Sequence, residues 1–373
     1  MNYKNSALKV LEVSGEPIER GKQIGEAKRP EIKEFIEQLH NNYCKCVGEV
    51  LSIDELVNYM SKSVNYSKKY CLDLYNEMLG ISHGANIDMN KILFINLFLE
   101  LVNLRSPLLH EKLLGCTSFG ITSEATLNKH CYIGQNFDME QFYKDYSYIL
   151  KIKDGNSSTM IFTFAGVLGC AGFNSQGIGV SINYLQSRDI ERGGMLFPFV
   201  VRNILKQTII GDAIGAAMIG EHACGINYLI GDASGNYFDV EVSGKDLDII
   251  YPAEGILSHS NHYLSPSLKK LDMMVFDTST SSSITRRGNT VVRQQVMKSL
   301  LLQNRGKIDL DSIKEIVANH TNYPYSICRH GNVNESSLIN NETVASIIFD
   351  LSDRTMYAAN GVPCENSFYK YTL

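Results

Sequence analysis

The hydrophobic period of this 373-residue chain changes once, at the Gly115–Cys116 junction. Before it, Ile32, Phe35, Ile36 and Leu39 recur at helical spacing and put their apolar groups on one face. Residues 52–55 read Ser-Ile-Asp-Glu, a capping box that opens a helix running towards Met78. Asp88 caps a third, strongly apolar helix through Leu101, and Pro107 closes the helical part. Beyond Cys116, short runs at 131–137, 146–152, 159–164 and 178–185 are rich in β-branched and aromatic residues and predict strands. Ile178, Val180, Ile182 and Tyr184 alternate with Gly179, Ser181 and Asn183, the pattern of a strand with one buried face. Helices are expected at 199–206, 212–219, 291–302 and 309–318, and further strands at 227–230, 237–242, 344–351 and 355–359. A Ser/Thr-rich stretch at 277–289, with Arg286 and Arg287, reads as an exposed loop. Helices first and strands with interposed helices afterwards predict a layered α+β fold, not alternating βαβ units.

Charge and cysteine content narrow the function. Thirty-five basic against forty acidic side chains leave a net charge of −5, without the basic footprint of a nucleic-acid binder. The most apolar stretch, 92–101, is broken by Asn96 and Glu100 and is too short for a bilayer, so no membrane partner is expected. The first residues lead into no apolar signal segment, and nine scattered cysteines form no disulfide framework. Both point to reduced thiols in a cytoplasm. Cys44 and Cys46 read as two helix cysteines without a second pair at zinc-site spacing.

Four stretches could carry chemistry. A thiol directly after Gly115 could attack the preceding carbonyl and cut the chain, exposing an N-terminal Cys116. Its α-amine, with a pKa of about 7.7–8.0, could then act as base for the thiol on the same residue. Taken alone, Gly115-Cys116 reads more readily as a buried strand cysteine after a turn glycine, because buried inert cysteines are common. Asp138 ends Gly-Gln-Asn-Phe-Asp at 134–138, and an antiparallel pairing could return it beside Cys116, although Asn and Asp also suit a turn. His259-Ser260-Asn261-His262 offers Asn261 as an oxyanion donor that does not titrate. His259 and His262 lack a third ligand of suitable spacing, so no metal is expected there. Ser326-Ile327-Cys328-Arg329-His330 offers a nucleophile and base, or Arg329 as a carboxylate reader; Cys328 and His330, two apart on a strand, would sit too far apart to pair well.

The order and spacing of these motifs resemble the acyl-coenzyme A:6-aminopenicillanic acid acyltransferase-like family. These are N-terminal-nucleophile (Ntn) hydrolases, relatives of penicillin V acylase and bile salt hydrolase. The resemblance also takes in Glu19-Arg20-Gly21-x-x-x-Gly25, Thr343-Val344-Ala345-Ser346 and Gly361-Val362-Pro363. It implies a four-layer αββα sandwich in which 1–115 and 116–373 become two chains of one domain. It further implies self-cleavage before Cys116, with Cys116 as nucleophile, Asp138 in the family's aspartate role and Asn261 in its oxyanion hole. Arg329 and Phe137 become substrate-binding candidates; Phe137 stands where the family usually has Trp. The expected substrate is a small N-acyl amide, with water, an amine or acyl-CoA as second reactant and no metal or organic cofactor. A homo-oligomer is compatible with this. Competing expectations are a papain-like cysteine peptidase and a degenerate Ntn fold that binds amides without turnover.

Overall fold

Strand alternation after Cys116 builds two sheets that face each other. The structure is a computed structural model describing residues 6–103, 115–191, 193–273, 283–332 and 340–373. The larger sheet has eight strands in the order β1 (Val10–Ser14), β4 (Ser147–Asp154), β5 (Ser157–Phe164), β6 (Ala171–Asn174), β7 (Gly179–Leu185), β8 (Gly225–Gly231), β9 (Tyr237–Val242) and β10 (Leu247–Ile250). The smaller has six: β11 (Ile256–His259), β2 (Gly115–Ile121), β3 (Tyr132–Glu140), β12 (Asn341–Asp350), β13 (Thr355–Asn360) and β14 (Tyr369–Thr372). Strands are numbered in chain order. Apart from the parallel β1–β4 pair, neighbouring strands run antiparallel.

Side chains alternating across the pleat divide the core. On β12, Ile347 and Phe349 join the large inter-sheet cluster, whereas Ile348 packs with Met297, Leu301, Ile313 and Val317 of the helices Ser283–Gln303 and Leu310–Val317. The helices Phe197–Leu205 and Ile210–Ala217 cover the larger sheet. The result is the αββα order of layers. Every residue of β7 is buried, so the expected single buried face is corrected. Asn183 accepts from Ser118 of the facing sheet at 2.5 Å, because both sides of β7 are covered by other layers.

The N-terminal part is helical as expected, with shorter segments. The Ser52 capping box forms, but its helix stops at Tyr59 and is followed by Ser61–Tyr70 and Leu72–Ala85. Asp88 caps Met89–Asn96, and Asn96 is buried, donating to Ile92 and Gly166 carbonyls at 2.9 Å each. Gly21 and Gly25 sit where Pro17–Ala27 crosses Leu72–Ala85; a Cβ on Gly21 would lie 2.0 Å from the Glu77 carbonyl oxygen. Beside this crossing, buried Glu77 receives Arg20 Nε at 3.1 Å and Arg202 at 2.6 and 2.9 Å. Residues 283–289, expected in an exposed loop, begin the helix Ser283–Gln303; 277–282, like Pro107, lie outside the described residues. No helix among the described residues is long and apolar enough to cross a membrane.

Candidate active site

The site forms where β2 begins. Gly115 pairs with Asp138 and Cys116 with Phe137 across the antiparallel β2–β3 ladder. Pleat alternation therefore turns Cys116 and Phe137 to one face, and Gly115 and Asp138 to the other. Asp138 stands beside the Gly115–Cys116 peptide, on the ladder face opposite the one that carries the thiol. Gly115 is needed for space: an added Cβ would lie 2.8 Å from Asp138 Oδ2 and 3.0 Å from an Arg329 guanidinium nitrogen. The thiol of Cys116 is buried, and burial together with the Asp138 charge pushes its pKa up to about 12. It is protonated near neutrality.

Asp138 is fully buried among cations. Its Oδ1 accepts from Thr343 Oγ1 at 2.8 Å; Oδ2 lies 3.7 Å from Arg293 and accepts no hydrogen bond among the described residues. Burial raises its pKa, and the charges of Arg293 and Arg329 only partly oppose this. Arg329 is tied by its backbone N–H to Thr343 Oγ1 at 3.0 Å and stacks over Tyr325. Sequence reasoning overlooked Arg293. It donates to the Cys116 carbonyl at 2.7 Å, to Thr117 Oγ1 at 2.9 Å and to Asn261 Oδ1 at 2.9 Å. The signal was present: Thr290, Arg293, Met297 and Leu301 share one buried helical stripe, with an arginine among apolar side chains.

The loop after β11 closes the site. Asn261 Oδ1 accepts the Cys116 backbone N–H at 2.9 Å, and its Nδ2 donates to the Tyr184 carbonyl at 3.1 Å. These partners fix the amide's orientation and, among the described residues, leave its second N–H hydrogen over. Ser260 donates to the Cys116 carbonyl at 3.1 Å. His259 holds the loop from behind, with Nε2 2.7 Å from Glu241 and Nδ1 2.8 Å from the Ser260 carbonyl. Burial works against its charge, but the Glu241 hydrogen bond and nearby Asp239 win and raise its pKa. His262 is driven down to about 3 by burial and stays neutral.

Cys116 opens into an apolar cleft of about 320 Å³, lined also by Phe98, Leu99, Phe137, Met139 and Tyr184. Phe137 is thus at the cleft, whereas Arg329 is on the Asp138 side. Cys328 and His330 meet after all, with Sγ 3.6 Å from Nε2, because this segment is bent and not a strand.

A family model described as acyl-coenzyme A:6-aminopenicillanic acid acyl-transferase matches residues 126–364, more than half of the chain. The chain belongs to this family. It is accordingly an enzyme of the acyltransferase type acting on amide bonds. The matched stretch contains Asp138, Asn261, Arg293 and Arg329 and begins beyond Cys116. Among curated relatives, the chain is 26% identical over 368 residues to the acyl-coenzyme A:6-aminopenicillanic-acid-acyltransferase 40 kDa form of Emericella nidulans, covering 94% of this chain and 91% of that protein. It is 21% identical over 267 residues to protein dcd1A of Dictyostelium discoideum, covering 63% and 58% respectively. Among solved structures, penicillin V acylase from Agrobacterium tumefaciens aligns with a TM-score of 0.44 at 12% identity, covering 66% of this chain and 83% of that one. A mutant conjugated bile acid hydrolase from Clostridium perfringens aligns with a TM-score of 0.43 at 10% identity, covering 69% and 97%.

Proposed function

We propose that the chain cuts itself between Gly115 and Cys116 and then works as a cytoplasmic amidohydrolase on small amides with an apolar acyl group. The observation that carries this is the seating of the Cys116 backbone nitrogen. It is held by Asn261 beside the buried, under-bonded Asp138 carboxyl, while the thiol on the same residue faces an apolar cleft. In the cleavage step, Cys116 Sγ attacks the Gly115 carbonyl carbon, the thiol proton passes to the Cys116 nitrogen and the C–N bond breaks, leaving a thioester and a free α-amine. Water then releases the Gly115 carboxylate and restores the thiol. Asp138 Oδ2 stabilises the new amine.

Turnover repeats the chemistry on a substrate. The α-amine, with an ordinary pKa of about 7.7–8.0, accepts the thiol proton. The thiolate attacks the amide carbonyl, and the second Asn261 N–H with a backbone N–H receives the oxyanion. The leaving amine takes up the proton, and water cleaves the thioester. An amine, or acyl-CoA as donor in place of the amide, gives the transferase variant of the same cycle. Phe137 helps to shape the acyl cleft, whose apolar lining suits an apolar acyl group. Arg329 stands beside Asp138 and supports its charge. The two products share one inter-sheet core and remain associated.

Intact-mass measurement tests the first half, with fragments of 115 and 258 residues expected. Cys116→Ala should stay whole and inactive. Active protein that remains a single chain would overturn the reading. Incubation with N-acyl amides of graded chain length, with and without amines, tests the second half. Acyl product formed only when an amine is supplied would replace hydrolase with transferase.

A further inference from the structure

Away from the cleft, three side chains of the segment 320–330 converge with one from the C-terminal turn. His320 Nε2 lies 3.1 Å from His330 Nε2, which lies 3.6 Å from Cys328 Sγ and 3.3 Å from Cys364 Sγ. The two sulfurs are 3.5 Å apart, and all four donor atoms lie within 4.8 Å of one another. We propose that His320, Cys328, His330 and Cys364 form a tetrahedral Cys2His2 site for a zinc-class divalent cation, a site the sequence spacing did not suggest.

The spacing argues for this directly. With zinc–nitrogen bonds of 2.0–2.1 Å and zinc–sulfur bonds of 2.3 Å, the edges of a ligand tetrahedron are about 3.3–3.8 Å. The four separations above sit at or just under that range, and the two from His320 to the sulfurs are within 4.8 Å, so side-chain adjustments suffice. Two sulfurs and two imidazoles select zinc over magnesium or calcium, which require oxygen ligands. A nucleophile–base pair needs one Cys and one His; the second of each is redundant for a papain-like dyad. A metal requires all four. Cys328 is buried whereas His320 and Cys364 are exposed, so an ion can load from solvent without unfolding the chain.

The site would clamp a functional segment. The Cys328 N–H donates to the Asn319 carbonyl at 3.1 Å and the His330 N–H to Pro324 at 3.0 Å, folding the two ligands around Arg329. Arg329, between them, reaches to the other side and lies beside Asp138. An ion bound there ties the C-terminal turn carrying Cys364 to the segment that positions Arg329. This assignment does not depend on the self-cleavage reading.

The test uses the full chain, purified in reductant without chelator and then given zinc(II) or cobalt(II). One zinc per chain is expected by elemental analysis. The cobalt form should show tetrahedral ligand-field bands and a thiolate-to-cobalt charge-transfer band. His320→Gln and Cys364→Ser each change an exposed side chain and should weaken zinc binding by more than the roughly 10–100-fold typical of changes one shell further out. Cys44→Ser, far along the chain, should leave stoichiometry and spectrum unchanged. Circular dichroism confirms that each variant is folded, and either folded variant alone suffices. The proposal is overturned if the reduced chain takes up no stoichiometric metal or if a folded ligand variant binds as well as the parent. A Cys328–Cys364 disulfide persisting in reductant, at its bonded length of about 2.05 Å, overturns it as well.

Discussion

Two buried carboxylates in this molecule each stand between two arginines, and they differ in how fully they are bonded. Glu77, between Arg20 and Arg202, has a hydrogen bond on each oxygen. Burial pushes its pKa up, but the two arginines outweigh it and hold the carboxyl below its usual 4.5. Asp138, between Arg293 and Arg329, has one oxygen bonded to Thr343 and the other unbonded among the described residues. There burial prevails, and the carboxyl is held above its usual 3.8. The first cluster pins three helices together. The second, at the Gly115–Cys116 peptide, keeps an unfilled acceptor where a new amine would emerge. A complete shell of hydrogen bonds fits a structural ion cluster, and an incomplete one is what the proposed charge-handling role of Asp138 requires.

Substitutions can break this contrast. Asp138→Asn should slow processing and turnover by roughly 10²–10⁴-fold, the range for losing a positioned proton-handling group, with no loss of thermal stability. Gel time courses and calorimetry read the two effects; a rate close to wild type would place Asp138 with the structural cluster. Glu77→Gln should do the reverse, costing about 3–5 kcal/mol of unfolding free energy by leaving two buried guanidinium groups underpaired. Chemical denaturation measures this, and the folded fraction should still process. A smaller loss is expected from Asn261→Ala in processed protein, roughly 10²–10³-fold in kcat with KM little changed. Unaltered kcat would remove Asn261 from the oxyanion site.

The subtlest test is pH. Glu77 has a lowered folded-state pKa, so its contribution is full above 4.5 and is lost as pH falls through the folded value. Asp138 has a raised one, so wild-type stability declines as pH rises above 3.8 through the folded value. The stability of Asp138→Asn relative to wild type should therefore grow with pH across that window. For Glu77→Gln the deficit should shrink as pH falls below 4.5. Parallel pH profiles for the two variants would erase the distinction.

Much of this was legible locally. The Ser52 and Asp88 caps, the antiparallel return from Cys116 to Asp138, and most strands after residue 131 follow from period and end signals. Those preferences act within a few residues of chain. Misreadings arose where distant packing overrode composition. Polar Ser, Thr and Arg at 283–289 suggested a loop, yet a helix forms, with Thr290 and Arg293 buried on one face just beyond. The expected helix from 52 to 78 divides at Met60 and Cys71, where successive helices turn to pack against different neighbours.

What the amino-acid order settled by itself is the alternation that sends Cys116 and Asp138 to opposite faces of one ladder, and the glycine without which Asp138 and Arg329 could not crowd the scissile peptide. The first is a consequence of a two-residue pleat once the register is set, the second of one missing Cβ at the Gly115–Cys116 peptide, whose cleavage is the proposal above. Only tertiary structure decided that Arg293 should reach the Cys116 carbonyl, that Asn261 should hold its nitrogen, and that His320 and Cys364 should meet Cys328 and His330. Those contacts join residues separated by up to 177 positions. Their energies come from burial and charge between surfaces that local preference cannot bring together.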